Sequence, residues 1–344
     1  MTSMHMDAER QQAIEIKTFT QDWCDKDDRI ASLSYFGTFA VYFLTLWLAI
    51  EAAFAAAWWA VVPLVVINAF AGVRLYVLQH DCGHHSLFST KLRNELAGYG
   101  LSTFTLTPFR AMQVNHNDHH AHISDLDARE TTEIYTMTVK EWEEAGFWQR
   151  LGYRLYRNPL FMLPVGGAFT YLIRYRWPKN AAKIGGWEVM VQNVAVAVWV
   201  GLIWALAGWT GIWIWLATAV VAGIIGVFLV YLQHNFEDAY WDRRPELRFD
   251  RAALQGASCL DLGWWWDLGT GNIAYHDIHH FNARIPSYRL RQCHFALREH
   301  YDIHTVRWPQ AFKAFTLKLW DEETERLVPF PKAKKPAPEA MPAE

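Results

Sequence analysis

The chain has 344 residues, of which 19% are charged and 15% aromatic, with 19 tryptophans and a formal net charge of −3. Such a charge balance offers no strongly basic surface, so no nucleic-acid partner is expected. The four cysteines (Cys24, Cys82, Cys259 and Cys293) form no Cys-x-x-Cys pair, which argues against a disulfide framework or a zinc ribbon.

Residues 1–33 are polar and read as a cytoplasmic N-terminal segment; they lack the apolar core of a cleavable secretory signal. Asp22, Asp25, Asp27 and Asp28 read as a solvated face. Between Arg29 and Arg74 the only charged residue is Glu51, so 34–80 is expected to form a first transmembrane hairpin, with spans near 34–50 and 54–74 and a turn around Glu51. Residues 81–188 form a cytoplasmic and interfacial region. Within it, 96–115 is semi-apolar but broken by Gly98, Gly100 and Pro108, and is expected to lie at the interface. Residues 139–186 alternate aromatics with arginines, as an amphipathic helix at lipid headgroups would.

Between Glu188 and Glu237 no Asp, Glu, Lys or Arg occurs over 48 residues. As one helix this stretch would reach roughly 70 Å, more than twice a ~30 Å hydrocarbon core. It is therefore expected to reverse at Gly208-Trp209-Thr210-Gly211 and give a second hairpin, 189–233, with spans near 189–207 and 212–233. A cytoplasmic region, 234–327, follows, and then a Pro-, Ala- and Lys-rich tail, 328–344, expected to be disordered. Neither interhelical turn contains Lys or Arg, while Trp58, Trp59, Trp209, Trp213 and Trp215 cluster near those turns. The positive-inside rule then places both termini and every histidine at the cytoplasmic side of an all-α integral membrane protein with four spans and a helical cap.

Eleven of the 15 histidines, His122 included, fall in or beside four short islands. His80-Asp81-Cys82-Gly83-His84-His85 follows the first hairpin, and His116-Asn117-Asp118-His119-His120 comes 36 residues after His80. His234 ends the second hairpin, and His276-Asp277-Ile278-His279-His280 comes 42 residues later. Both hairpins leave through Leu-Gln-His, so the chain uses one plan twice. Imidazole nitrogen suits iron, zinc, copper and nickel. On a helix His80 and His84 share one face, and in each HxxHH the first two histidines share a face with the third beside them. His80, His84, His116, His119, His120, His234, His276, His279 and His280 are nine candidate metal ligands, too many for one four-coordinate ion and economical for two. No ExxH or HExxH element is present, so a carboxylate-rich di-iron bundle and a zincin protease both fit poorly. His85 and His122 stay open as ligands; His5, His294, His300 and His304 read as ordinary polar residues. Asp81, Asp118, Glu237, Asp238 and Asp277 are candidates to accept the second ring N–H of a ligating histidine. Gly269 to Ala274 matches GxGxxA but has no strand before it, so a dinucleotide site is not expected.

The stretches HDCGHHSLF (80–88), HNDHH (116–120) and HDIHH (276–280) resemble the three histidine boxes of the membrane fatty acid desaturase superfamily. With TLTPFR (105–110), YRLYRNP (153–159), YLQHNFEDAYW (231–241), TGNIAYHDIHHFNARIPSYRL (270–290) and LWDEETERLV (319–328), the likeness extends to bacterial acyl-lipid (omega-6/Δ12-like) desaturases. His85 stands where relatives often carry Gly, and Asp277 where a further His is common. The resemblance implies two nonheme irons held by histidines, O2 as co-substrate, acyl chains of membrane lipid as substrate, and electrons from a ferredoxin or cytochrome b5-like donor. It also implies a multi-pass protein of the bacterial inner membrane with its site at the cytoplasmic face. No catalytic side chain beyond the metal ligands is expected. An acyl or alkyl hydroxylase or ketolase on the same scaffold, or a non-enzymatic membrane metal-binding protein, are the competing readings. Phe104, Phe109, Trp264, Trp265 and Trp266 are candidates to line an acyl tunnel. The arginine-rich segments suit lipid headgroups better than an acidic electron carrier.

Overall fold

The computed structural model describes residues 3–129, 134–176, 182, 184–301 and 305–331, so His304 and 332–344 lie outside the described residues. The chain is mostly helical. After α1 (Ser3–Gln21), the Asp27 carboxylate accepts hydrogen bonds from the backbone N–H groups of Arg29 and Ile30 and so starts α2 (Asp28–Phe54). Ala56, with φ 51°, turns the chain into α3 (Trp58–Gly83). The turn thus falls just beyond Glu51. At 1.5 Å per residue, α2 and α3 are each about 40 Å long, more than a ~30 Å apolar layer requires. The surplus of α3 carries Gln79 and His80, both buried.

Residues 96–115 are split between two short helices, α4 (Lys91–Thr105) and α5 (Phe109–Ala121), by Leu106 with φ 57° and by Pro108. The stretch expected to be one amphipathic helix is likewise broken. It forms the short helices Val139–Glu144 and Phe147–Tyr156, then a π-turn over Met162–Gly166 and a helix over Gly167–Leu172. Proline and glycine punctuation at Gly146 and Pro159 interrupts the periodicity.

The long apolar stretch is α6 (Gly186–His234), which breaks at Gly208 (φ 57°, ψ −150°). A methyl group on Gly211 would stand 2.9 Å from Ile203 Cγ2. Eight residues along one straight helix are separated by about 12 Å, so the two arms turn back onto each other at Gly208, a conformation that glycine adopts without a Cβ clash. Among the described residues, three helices, α2, α3 and α6, are long and apolar enough to cross a membrane. Their outward faces expose large apolar side chains such as Trp47, Val62, Leu206 and Trp213, as a lipid-facing surface does.

Among the described residues, five strands of two or three residues accompany the helices, too short to leave a period-2 pattern in the sequence. β1 (Met137–Thr138), β2 (Cys259–Leu260), β3 (Thr305–Val306), β4 (Leu319–Asp321) and β5 (Arg326–Val328) form two sheets, with β1 parallel to β4, β4 antiparallel to β5, and β2 parallel to β3. Val328 pairs with Leu319, and the Phe330 ring lies 4.6 Å from that of Trp142. Residues 328–331, with Pro329 and Pro331 among them, are therefore part of the fold rather than the start of a structureless tail. Behind this sheet the fully buried Arg157 finds no carboxylate among its described partners. Its guanidinium donates to the Asn235 side chain, to Thr136 Oγ1 at 3.2 Å and to Leu317 O at 3.2 Å. It thereby ties the middle segment to the residue that follows His234.

Candidate metal centre

Two glutamines set the local geometry. Gln79 Nε2 donates to Thr107 O at 2.9 Å, just ahead of α5. Gln233 Nε2 donates to Ile273 O at 2.8 Å, just ahead of α7 (His276–Phe281). In each half the last turn of a long apolar helix is therefore hydrogen-bonded to the backbone that launches the next HxxHH helix. That is the physical content of the repeated Leu-Gln-His exit.

The structure gathers all nine histidines singled out from the sequence into two groups. His80, His84, His116, His120 and His279 form the first; His119, His234, His276 and His280 form the second. Within each group one ring nitrogen from every residue lies within 4.8 Å of all the others. The pairing within each HxxHH differs from the sequence reading. His116 and His120 stay together, as do His276 and His280, while the middle histidine of each motif crosses to the other group. At ~100° per residue, positions i and i+4 are about 40° apart around a helix, and i+3 is turned about 100° from i+4. The middle histidine therefore faces a different direction.

The Nε2 atoms converge. His80 and His116 stand 2.8 Å apart, His116 and His120 2.9 Å, and His120 and His279 3.1 Å. In the second group His276 and His280 are 3.0 Å apart, His234 and His276 3.2 Å, and His119 and His280 3.3 Å. With metal–nitrogen bonds of about 2.0–2.1 Å, two ligand nitrogens at right angles lie about 2.9 Å apart, and at the tetrahedral angle about 3.3 Å. The observed spacings are the edges of such coordination polyhedra. Burial above all, and then the neighbouring imidazoles, hold His84, His116, His120, His276, His279 and His280 well below the ordinary histidine value of 6.5. They are neutral at pH 7, with lone pairs free to bind a cation. His84 Nε2 is buried with no hydrogen-bond partner. The donor set therefore fits two metal ions, with nitrogen ligands only. The groups differ in access: His84, His116 and His120 are partly exposed, whereas all four members of the second group are buried.

Of the five acids considered as outer partners, Asp81 is placed for the role. Its Oδ1 lies 3.4 Å from His80 Nδ1, and its Oδ2 accepts from the Ser287 backbone N–H at 2.8 Å. His234 Nδ1 faces Gly256 O at 3.2 Å instead of an acid. Glu237 pairs with Lys313, and Asp238 with Arg326 at 3.7 Å, so both are surface acids. Asp118 meets His122 through its backbone carbonyl, 2.9 Å from Nδ1. Asp277 is buried beside the ligands; burial pushes it up to about 7, against the lowering pull of the Ile278 and Asp277 backbone N–H groups. His85 and His122 belong to neither group. His294 is buried against Cys259 Sγ at 3.6 Å, away from both groups.

A cavity of about 320 Å³ reaches the site and touches histidines of both groups, His80 and His116 of the first and His119, His234 and His276 of the second. Its remaining wall is largely apolar, with Val73, Val77, Met162, Phe169 and Val227 among the lining residues. None of the five proposed tunnel residues lines it. Phe109 is packed in the core, Trp264 is 72% exposed, Trp265 and Trp266 pack beside Phe70, and Phe104 borders a separate, smaller cavity. Aromatic content drew attention to those five. The wall is instead set by the segment 162–175, whose signal in the sequence is the glycine pair Gly166-Gly167. A methyl on Gly167 would stand 2.7 Å from the Gly223 carbonyl carbon, so only glycine permits this segment to lie on α6.

The family model "Fatty acid desaturase" matches residues 56–312, which span the first hairpin's second helix, all nine histidines and the cavity wall. The chain belongs to the fatty acid desaturase family. A fatty acid desaturase of Bacillus subtilis is 32% identical over 287 residues, covering 82% of this chain and 80% of that protein. The sn-1 oleoyl-lipid 12-desaturase of Synechocystis is 26% identical over 66% of this chain and 65% of its own length. The sn-1 acyl-lipid omega-3 desaturase (ferredoxin) of the same organism is 28% identical over 65% of this chain and 63% of its own length. This desaturase is thus an oxidoreductase of fatty acid desaturation.

Proposed function

We propose that the two histidine groups of this desaturase hold two nonheme irons, and that it uses O2 and two external electrons to remove two hydrogens from adjacent methylenes of a long acyl chain. The chain is carried on a membrane lipid, and the product is a cis alkene. The observation that carries this reading is the apolar 320 Å³ cavity that touches histidines of both groups. Bound iron would supply the oxidising power toward an unactivated C–H bond that side-chain acids and bases lack. The protein's own residues do the rest. His80, His84, His116, His120 and His279 would hold one ion and His119, His234, His276 and His280 the other. Asp81 orients His80, and Val73, Val77, Met162 and Val227 exclude water and hold the chain extended.

The two arms of α6 would each cross the bilayer once and, with α2 and α3, make four crossings. Turns without Lys or Arg at 55–57 and around Gly208 support a cytoplasmic position for the site and both termini. A ferredoxin or a cytochrome b5-like carrier is the proposed electron donor; one relative is named for ferredoxin. The test is expression in a host lacking polyunsaturated lipids, with gas chromatography of fatty acid methyl esters and metal analysis of the purified protein. A new alkene and two irons per chain are expected. A hydroxy acid without a new alkene, or a single zinc without O2-dependent turnover, would overturn the reading.

A further inference from the structure

The cavity at the histidines does not end against solid core. A second cavity of about 40 Å³ lies beyond it, and the two share Val73, Tyr76 and Tyr171 as lining residues. Their order can be read along the second arm of α6. Gly226 to His234 line the first cavity, and Trp215 to Gly223 the second, each stretch about 12 Å of helix. The second chamber therefore continues the first, on the side away from the metal site.

What separates them is a pair of rings. Tyr76 and Tyr171 meet edge-on, with centroids 5.5 Å apart at 90°, and the Tyr76 hydroxyl is 3.2 Å from that of Tyr175. Tyr171 is fixed from behind: a methyl on Gly226 would stand 2.4 Å from its hydroxyl, so the ring lies directly on bare glycine. The Gly167–Gly223 contact pins the same segment one turn earlier.

We propose that Tyr171, braced by Tyr76, is the end wall of the acyl site and sets how many carbons can extend past the metal centre. This rests on the reading that the acyl chain occupies the 320 Å³ cavity. Tyr171→Ala removes the ring and joins the two chambers. The second chamber, of about 40 Å³, and the vacated ring together make room for further carbons.

The test feeds a graded series of acyl chain lengths to a host expressing the intact membrane protein and reads each conversion by gas chromatography. Wild type should convert a chain two carbons beyond its limit roughly tenfold or more less well than its best substrate, and Tyr171→Ala should bring that ratio toward one. Tyr171→Leu should move the limit in the same direction by less, which keeps the test alive if Tyr171→Ala does not accumulate. Tyr171→Phe should keep the wild-type limit. Ala219→Leu, which fills only the second chamber, should cancel the gain in the Tyr171→Ala background. Active Tyr171→Ala and Tyr171→Leu enzymes with an unchanged limit overturn the proposal. Val230→Trp, which blocks the first cavity, separates the two failures. If it leaves conversion intact, the chain lies elsewhere and the underlying reading fails; if it stops conversion while the Tyr171 variants keep the old limit, only the end-wall proposal fails.

Discussion

The two histidine groups are built on one plan and differ in closure. Each takes a histidine from the end of a long apolar helix, the first and last histidines of the following HxxHH, and the middle histidine of the opposite motif. The first group has a fifth member because α3 runs to Gly83, bringing His84 one turn after His80 onto the same face. α6 stops at His234, and the position four residues on is Asp238, which turns outward to Arg326. Helix length thus decides whether a group has four donors or five. The first group is partly exposed, at His84, His116 and His120, while all four members of the second are buried.

The most damaging way to probe this symmetry is to remove the exchanged residues. His119→Ala and His279→Ala should each reduce alkene formation by more than the 10–100-fold typical of outer-sphere changes, with loss of bound iron and with the protein still inserted. Near-normal turnover in either variant would remove that motif from the centre. Chelation should then distinguish the groups kinetically. Iron should leave in two phases, the faster from the partly exposed group, and a single phase would erase the proposed difference in access. Asp81→Asn should lower activity about 10–100-fold, because it disturbs the orientation of His80, whereas Glu237→Gln should change it little. Equal effects would contradict the asymmetry between these two acids.

The smallest effect concerns the segment that braces the second half. Glu141 bonds to Arg129 at 2.5 Å, and that hydrogen bond is the main reason its carboxyl lies below the usual 4.5. A depressed folded-state value stabilises above pH 4.5 and is lost as pH falls through it. Glu141→Gln should therefore cost about 1 kcal/mol or less at neutral pH, with the gap to wild type closing in acid, as read by thermal unfolding in detergent.

Much of the site could be read from the chain because histidine spacing is a local code: HxxHH on a helix commits three imidazoles to one region. Which group each histidine joins was not legible, since the choice depends on where the opposite helix lies as well as on a ~100° step. Asp277 and Asp238 look alike as neighbours of ligands, yet one is buried beside the site and the other pairs at the surface. The apolar blocks gave away the long helices and the break at Gly208. The cavity wall was hidden because Met162, Phe169 and Tyr171 carry no periodic signal, and the glycines that let them approach α6 are unremarkable until the segments meet. The strands at β4 and β5 escaped notice because three residues cannot establish alternation.

The exchange of middle histidines also fixes an order of events in synthesis. His120 and His279 are 159 positions apart, and His119 and His280 are 161 apart. A ribosome that has delivered the first hairpin and α5 has made four donors of one group and a single donor of the other. The second group cannot assemble until the final HxxHH emerges, whereas the first then lacks only His279. On the proposed di-iron reading, the second ion could be bound only late in biogenesis, after the last histidine motif has been made.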